Sequence, residues 1–318
     1  MTRRQRFEIY LLLVFVMAAW GLNVIAIKVL VSEFAPITVT AFRIFVAAVC
    51  VFGILFFLKL MRLPTKQELF YIILASLMNV VGHHFFLSIG LVETSASNGG
   101  LILGLGPLLS TIIAFILLKN QVTFLKWLGI FFGLTGITFV VAIGAGGSLS
   151  TISIGDLYVF IAVFTQALSF VIIKKTSHTL DPRLMTGYML LIGSVVLFVI
   201  SLWKEPEGIG SFSNGSLGIW MIFLASAIIA TAIGQMIYNN AIGKVGVTES
   251  AIFINLNPFF ALIGAVLLLG EKISVSQVIG FVFILFGVLF GSGALEEFLH
   301  QYRLKKTLLF RAGKSEHM

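Results

Sequence analysis

Ten runs of about 20 apolar residues, each closed off by a short polar or proline-bearing connection, constrain this chain more than any other feature of its sequence. They fall near 8–31, 37–58, 69–91, 96–118, 125–143, 156–174, 184–203, 217–242, 248–270 and 275–293. A hydrocarbon core about 30 Å thick needs roughly 20 residues at about 1.5 Å each, so every run is long enough to cross it as a helix. Connections such as Ser32-Glu33-Phe34-Ala35-Pro36 carry turn and cap residues, and none could hold a soluble domain. Of the 318 residues 59% are apolar and 11% charged, where soluble domains carry about 25% charge. Water could not cover that much apolar surface. Backbone groups in lipid must be satisfied internally, and the expected fold class is an all-α membrane protein with ten transmembrane helices.

A formal net charge of +8 would suggest a nucleic-acid partner in a soluble protein. The placement of the charge argues for topology instead. With the N-terminus cytoplasmic, all of the 21 Lys and Arg except Lys28, Arg43, Lys204 and Lys272 fall on the cytoplasmic side. That is the positive-inside bias expected of an even number of spans, so both termini are expected in the cytoplasm and no nucleic acid is expected as partner. The basic start Thr2-Arg3-Arg4-Gln5-Arg6-Phe7 resembles a secretion signal, but nine further spans and no small-x-small cleavage site make the first helix an uncleaved span. Residues 294–318 form a basic cytoplasmic tail in which Leu295, Phe298, Leu299, Tyr302 and Leu309 recur at helical spacing, the pattern of an interfacial anchor on the anionic inner leaflet. Cys50 is the single cysteine, so neither an intrachain disulfide nor a Cys-based metal site is available.

The two halves of the chain repeat. An offset of 151 positions lays residues 95–140 on 246–291 without a gap, and Leu105, Pro107, Ile112, Ala114, Leu117, Leu118, Gly129, Phe132, Gly136 and Phe139 all meet identical residues. The Pro107/Pro258 match carries the most weight, because the chain has only six prolines. Two units are expected, 8–143 and 156–293. Each holds five spans, so the second enters the membrane in the opposite sense to the first. Inverted repeats of this kind occur in secondary transporters, which rock about a midplane site. Gene duplication also builds membrane proteins that transport nothing.

Trp20-Gly21-x-Asn23 with Lys28 in span 1, Phe42-Arg43 in span 2, Pro107 in span 4, and Pro258 followed by Gly270-Glu271 after span 9 resemble the EamA family of the drug/metabolite transporter superfamily. The resemblance covers residues 8–293. One departure is Asn120, which stands where the second half has Glu271, so the Gly-Glu turn occurs once. The resemblance implies a multi-pass carrier of the bacterial inner membrane, exporting amino acids, metabolites or drugs, with a cavity lined by helices 1, 3, 4, 6, 8 and 9. It implies no cofactor.

Polar side chains inside a span are costly in hydrocarbon and should face the bundle interior or a wet cavity. Those nearest the middle of the spans are Trp20 and Asn23 in span 1, Asn79, His83 and His84 in span 3, Asn98 in span 4, Gln166 in span 6, Gln235, Tyr238 and Asn239 in span 8, and Asn255 and Asn257 in span 9. They lie on the same six helices that the family resemblance implies. Trp20, Asn23, His84, Asn98, Gln166, Gln235, Tyr238, Asn239 and Asn257 are the expected substrate-binding residues, although Asn and Gln in membrane helices also serve as interhelical glue. Adjacent residues on a helix point about 100° apart, so one of His83 and His84 is expected at the cavity. His84 is preferred because the repeat offset pairs it with Gln235. No His or carboxylate stands three or four residues from either histidine, so no metal site is expected.

No Asp or Glu lies at the middle of a span, which leaves Glu249 or a histidine for any proton coupling. Lys28 reads as an ammonium snorkelling at the outer face, and Arg43, about 10 Å into span 2 by helical rise, as a tether for the outer helix ends or a partner for a substrate carboxylate. The midplane thus offers no fixed charge, which suits a neutral or zwitterionic solute, with Trp20 and Tyr238 as aromatic faces for an organic cation. Pro107 and Pro258, at the middle of spans 4 and 9, read as hinges or static kinks. Gly129/Gly133 and Gly287/Gly291 mark close helix packing, either between the halves or between the protomers of a homodimer. The sequence lacks the motifs of an intramembrane hydrolase, and enzyme function is not expected. A passive channel is the alternative to a carrier.

Overall fold

The computed structural model describes residues 3–118, 123–139 and 153–291. The tail 294–318, Asn120 and the side chain of Glu249 lie outside the described residues. Among those described, every regular element is helical: α1 (Arg3–Glu33), α2 (Pro36–Phe57), α3 (Lys66–Ser76), α4 (His83–Glu93), α5 (Ala96–Leu103), α6 (Gly106–Leu118) and α7 (Phe124–Thr138) in the first half. The second half holds α8 (Ile154–Thr176), α9 (Pro182–Lys204), α10 (Leu217–Ala225), α11 (Gln235–Val245), α12 (Val247–Phe253), α13 (Asn257–Leu269) and α14 (Val275–Gly291). The chain is an all-α membrane protein. Six stretches are continuous, long and apolar enough to cross a membrane: Arg4–Glu33, Pro36–Phe57, Lys66–Glu93, Ile154–Thr176, Pro182–Lys204 and Leu217–Val245. The other four expected spans are broken or shorter among the described residues.

The breaks are paired between the halves. A π-helical stretch, Leu77–Gly82, joins α3 to α4, and another, Ser226–Gly234, joins α10 to α11. The fourth and ninth runs are interrupted outright, by a turn between α5 and α6 and by a 3-10 turn, Ile254–Leu256, between α12 and α13. The prolines read as mid-helix kinks therefore occupy a different place. Pro107 and Pro258 each sit in the first turn of a helix that starts afresh, where a missing N–H costs nothing because the first-turn donors have no intrahelical partner. The two interruptions meet: a Cβ on Gly104 would lie 2.5 Å from Pro258 Cγ, and one on Gly100 2.4 Å from Ala261 Cβ.

Large apolar side chains such as Phe56, Phe70, Val199 and Leu267 point outward, as lipid permits and water does not, while Arg43, Asn79, His83, His84, Gln235 and Asn239 are buried. The glycine pairs of spans 5 and 10 pack α7 on α14 within the chain. A Cβ on Gly287 would meet the backbone of Gly133 at 2.6 Å, and one on Gly136 the carbonyl oxygen of Gly280 at 2.7 Å.

One end of the bundle holds Glu33, Glu93, Asp156, Glu205, Glu207 and Glu271 with Lys28, Lys204 and Lys272; the other holds Lys59, Arg62, Lys66, Lys174, Lys175, Arg183 and Lys244 with Glu68 and Asp181, so the first is acidic on balance and the second basic. At the acidic end the carboxylates cap helices of other segments. Gly270 ends α13 in the left-handed conformation at φ 66°, which frees the chain to turn. Glu271 then accepts from the N–H groups of Ala96 (2.9 Å) and Ser97 (3.0 Å) at the start of α5. Glu205, after α9, does the same for Ile37 (3.0 Å) and Thr38 (2.8 Å) at the start of α2. The Gly-Glu turn is thus a cap between segments as well as a helix end.

Candidate functional site

The π stretch in the eighth run sets the centre of the site. A π turn closes residue i on i+5, so Ser226 and Thr231 come into line, whereas an α-helix would leave them about 140° apart. The Thr231 hydroxyl donates to the Ser226 carbonyl (2.9 Å), and the Ser226 hydroxyl donates to Asn23 Oδ1 on α1. Arg43, on α2, reaches this pair: Nη1 donates to Thr231 Oγ1 at 2.7 Å and to Ser226 Oγ at 3.4 Å, and Nη2 lies 3.2 Å from His84 Nδ1. Only 2% of Arg43 is exposed, and among the described residues no carboxylate pairs with it. Holding an unpaired guanidinium out of water costs several kcal/mol even after relaxation.

His84 and His83 begin α4 directly after the other π stretch, and their rings stand edge to face with centroids 4.8 Å apart. His84 Nε2 is 3.1 Å from the Gln235 amide. His83 Nδ1–H donates to the Ala162 carbonyl on α8 (3.0 Å), which leaves Nε2 to accept from Gln166 Nε2 at 3.4 Å. Trp20 Nε1–H donates to the Ala230 carbonyl inside the π stretch at 2.9 Å. One chain of hydrogen bonds thus links α1, α2, α4 and the π stretch leading into α11, and a second, through His83, links α4 to α8.

These groups surround a small cavity of about 40 Å³, space for two or three waters and not for an organic solute. Trp20 and Asn23 line it from α1, His83 and His84 from α4, Gln166 from α8, Thr231 from the π stretch, Gln235 from α11 and Asn257 from α13, with Val24, Ile27, Leu87, Leu103, Ala230 and Ile254 as its apolar wall. Gln235 Oε1 and Asn257 Oδ1 are buried and hydrogen-bond no described group. All six of the runs named on the sequence contribute.

The structure brings together Trp20, Asn23, His84, Gln166, Gln235 and Asn257 and leaves three expected residues elsewhere. Asn98 lies in the first turn of α5 at the acidic end, where its Oδ1 accepts from Gln277 Nε2 at 2.8 Å. Tyr238 is fully buried one layer below the cavity, between Trp20 and Phe170, with ring centroids 4.9 and 5.3 Å away, and offers no aromatic face to a solute. Asn239 donates to Thr186 Oγ1 (2.9 Å) and ties α11 to α9. Three residues are present that periodicity did not select. His83 shares the cavity with His84 because the space wraps around the start of α4, and Thr231 enters through the π register. Arg43 stands just behind both, so the midplane does hold a fixed charge. The signal for it was available, since an ionisable residue inside a span is a functional candidate wherever helical rise puts its Cα.

Hydrogen bonds tie helix ends together at both ends of the bundle, some within one half and some between the two. At the acidic end, within the first half, Lys28 Nζ donates to the carbonyls of Leu91 (2.7 Å) at the end of α4 and of Thr94 (2.8 Å) just after it, beside a recess of about 430 Å³ shared with Glu271 and Gln277. The Thr94 hydroxyl donates to Asp156 Oδ1. At the basic end the bonds that cross between the halves run from Tyr188 O–H to the Arg62 carbonyl (2.9 Å) and from Arg62 Nη2 to the Thr179 carbonyl (2.9 Å), while Lys174 Nζ donates to the Gly243 carbonyl (3.2 Å) within the second half.

The model of the EamA-like transporter family matches twice, at residues 8–142 and 153–292. The chain belongs to this family. It is 34% identical over 272 residues to the uncharacterized transporter YyaM of Bacillus subtilis (strain 168), covering 84% of this chain and 88% of that protein. An uncharacterized transporter of Synechocystis sp. is 26% identical over 284 residues, covering 85% of each. A solved crystal structure 16% identical in sequence superposes with a TM-score of 0.66 over 89% of this chain and 96% of its own, and shows the fold alone. This EamA-like protein is a multi-pass membrane transporter, and neither its family nor these relatives are enzymes.

Proposed function

We infer that this EamA-like protein is a secondary carrier that exports a small organic solute across the bacterial inner membrane by alternating access. The observation that carries the reading is the small polar cavity: it lies where both halves meet, it is walled by six of the ten runs, and hydrogen bonds between the halves span the bundle on either side of it. At about 40 Å³ it must widen to admit a solute, and the helix breaks beside it supply the freedom. The basic end faces the cytoplasm by the positive-inside bias, so the solute enters there and leaves at the acidic end. Purified protein in liposomes preloaded with candidate solutes should show saturable counterflow. Flux that rises linearly with concentration and shows no counterflow would indicate a channel, and the carrier reading would fall.

A further inference from the structure

We propose that the cavity selects anionic solutes, carboxylates above all, over neutral and cationic ones, and that Arg43 imposes the selection through His84 and Gln235. The proposal rests on the cavity being the transport site. Arginine stays protonated and has only donors, so His84 Nδ1, at 3.2 Å, must accept from it. The imidazole proton then sits on Nε2, and the group 3.1 Å away has to be an acceptor. Gln235 meets that demand with its amide oxygen, because the two ends of an amide have the same shape and the hydrogen-bond network decides between them. Its NH₂ is thereby turned to the other position, which is buried and bonds no described group. Thr231 follows the same polarity: its proton goes to the Ser226 carbonyl and its oxygen accepts from Arg43.

The relay therefore starts at a fixed positive charge and ends in N–H donors on the cavity wall. An acceptor carrying negative charge completes it, supplying both the missing hydrogen bond and the counter-charge that no described residue gives Arg43. Unit charges about 7 Å apart at an effective dielectric near 20 attract by on the order of 50-fold in an equilibrium constant. A cation is penalised by a similar factor.

Two sets of probes of equal shape test this: butyrate, butanamide and butylamine, and 3-phenylpropionate, 3-phenylpropanamide and 3-phenylpropylamine. Each is measured at pH 7.5 by the shift in unfolding midpoint of the purified full chain and by inhibition of counterflow. The acid should act at roughly 50-fold lower concentration than its amide, and the amine should not act. Arg43→Gln should bring the acid-to-amide ratio near one, while Arg43→Lys, which keeps the charge, retains most of it. Should Arg43→Gln fail to insert, the wild-type ranking and a loss of about 10-fold in acid affinity with Gln235→Leu still decide. Equal or reversed ranking in the wild type, or an unchanged ratio in Arg43→Gln, would overturn the proposal. Charge-blind counterflow overturns it and leaves the carrier intact, ranked binding without flux does the reverse, and no response to any probe removes both.

Discussion

At the scale of single residues, location in the network separates side chains of the same chemistry. Gln235 and Asn239 are one turn apart on α11, both amides and both buried, yet Gln235 borders the cavity and Asn239 bonds Thr186. Gln235→Ala should raise the half-saturating solute concentration about 10-fold, as expected for one lost ligand hydrogen bond, besides lowering the unfolding midpoint through the orphaned His84 N–H. Asn239→Ala should lower the midpoint and leave half-saturation unchanged. Concentration series in liposomes and melts in detergent check both, and equal effects on transport would show that the cavity is misassigned. A second residue test lies at the basic end, where Asp181 caps α9. Burial alone would push its carboxyl up, but hydrogen bonds from Arg183 Nε (3.0 Å), Nη2 (2.7 Å) and the Arg183 main-chain N–H (2.9 Å) hold it below the usual 3.8. The folded state thus favours the carboxylate: the stabilisation is complete above the unfolded value and fades as pH falls below it. The melting difference between wild type and Asp181→Asn should hold from pH 8 to about 5 and shrink towards pH 3, never exceeding about 1 kcal/mol for so exposed a pair.

At the scale of elements, the apolar runs made the helices legible, because about 20 apolar residues between polar connections have few alternatives in lipid. The interior of the runs was less legible, for reasons that trace to particular residues. A regular 3.6-residue period cannot foresee a π stretch, so Ser226 and Thr231 look unrelated on the sequence and His83 looks turned away from His84. By helical rise the Cα of Arg43 lies about 10 Å along span 2, but its long side chain reaches α4 and the π stretch. Prolines were visible, whereas the breaks just before them depend on Gly104 and on the 3-10 turn ahead of Asn257. The contact of the two breaks gives a packing prediction. Gly104→Val would drive a side chain into Pro258 and should cost about 1–3 kcal/mol. Gly53→Ala, where nothing lies within 4 Å, should not lower the melt. Unfolding midpoints of both variants in one detergent decide it, and a neutral Gly104→Val would mean that the two breaks do not pack as described.

At the scale of the whole molecule, the polar residues divide into those that face the cavity and those that hold the halves together around it. Asn98 belongs to the second group. It links α5 to Gln277 on α14 across the acidic end, close to the Thr94–Asp156 bond and to Glu271 capping α5. If solute leaves by this end, these bonds must break and reform in every cycle, and a covalent bridge in their place should stop transport without unfolding anything. The variant Asn98→Cys with Gln277→Cys, built in a Cys50→Ala background so that the two new thiols stand alone, provides the bridge through a short bifunctional methanethiosulfonate. Counterflow of the bridged protein should drop to the level of protein-free liposomes and return on reduction, while each single-cysteine variant treated in the same way stays active. A protein that is fully bridged and still transports would show that the acidic end does not open. The solute would then have another path, and the inter-half bonds here would be fixed structure instead of a gate.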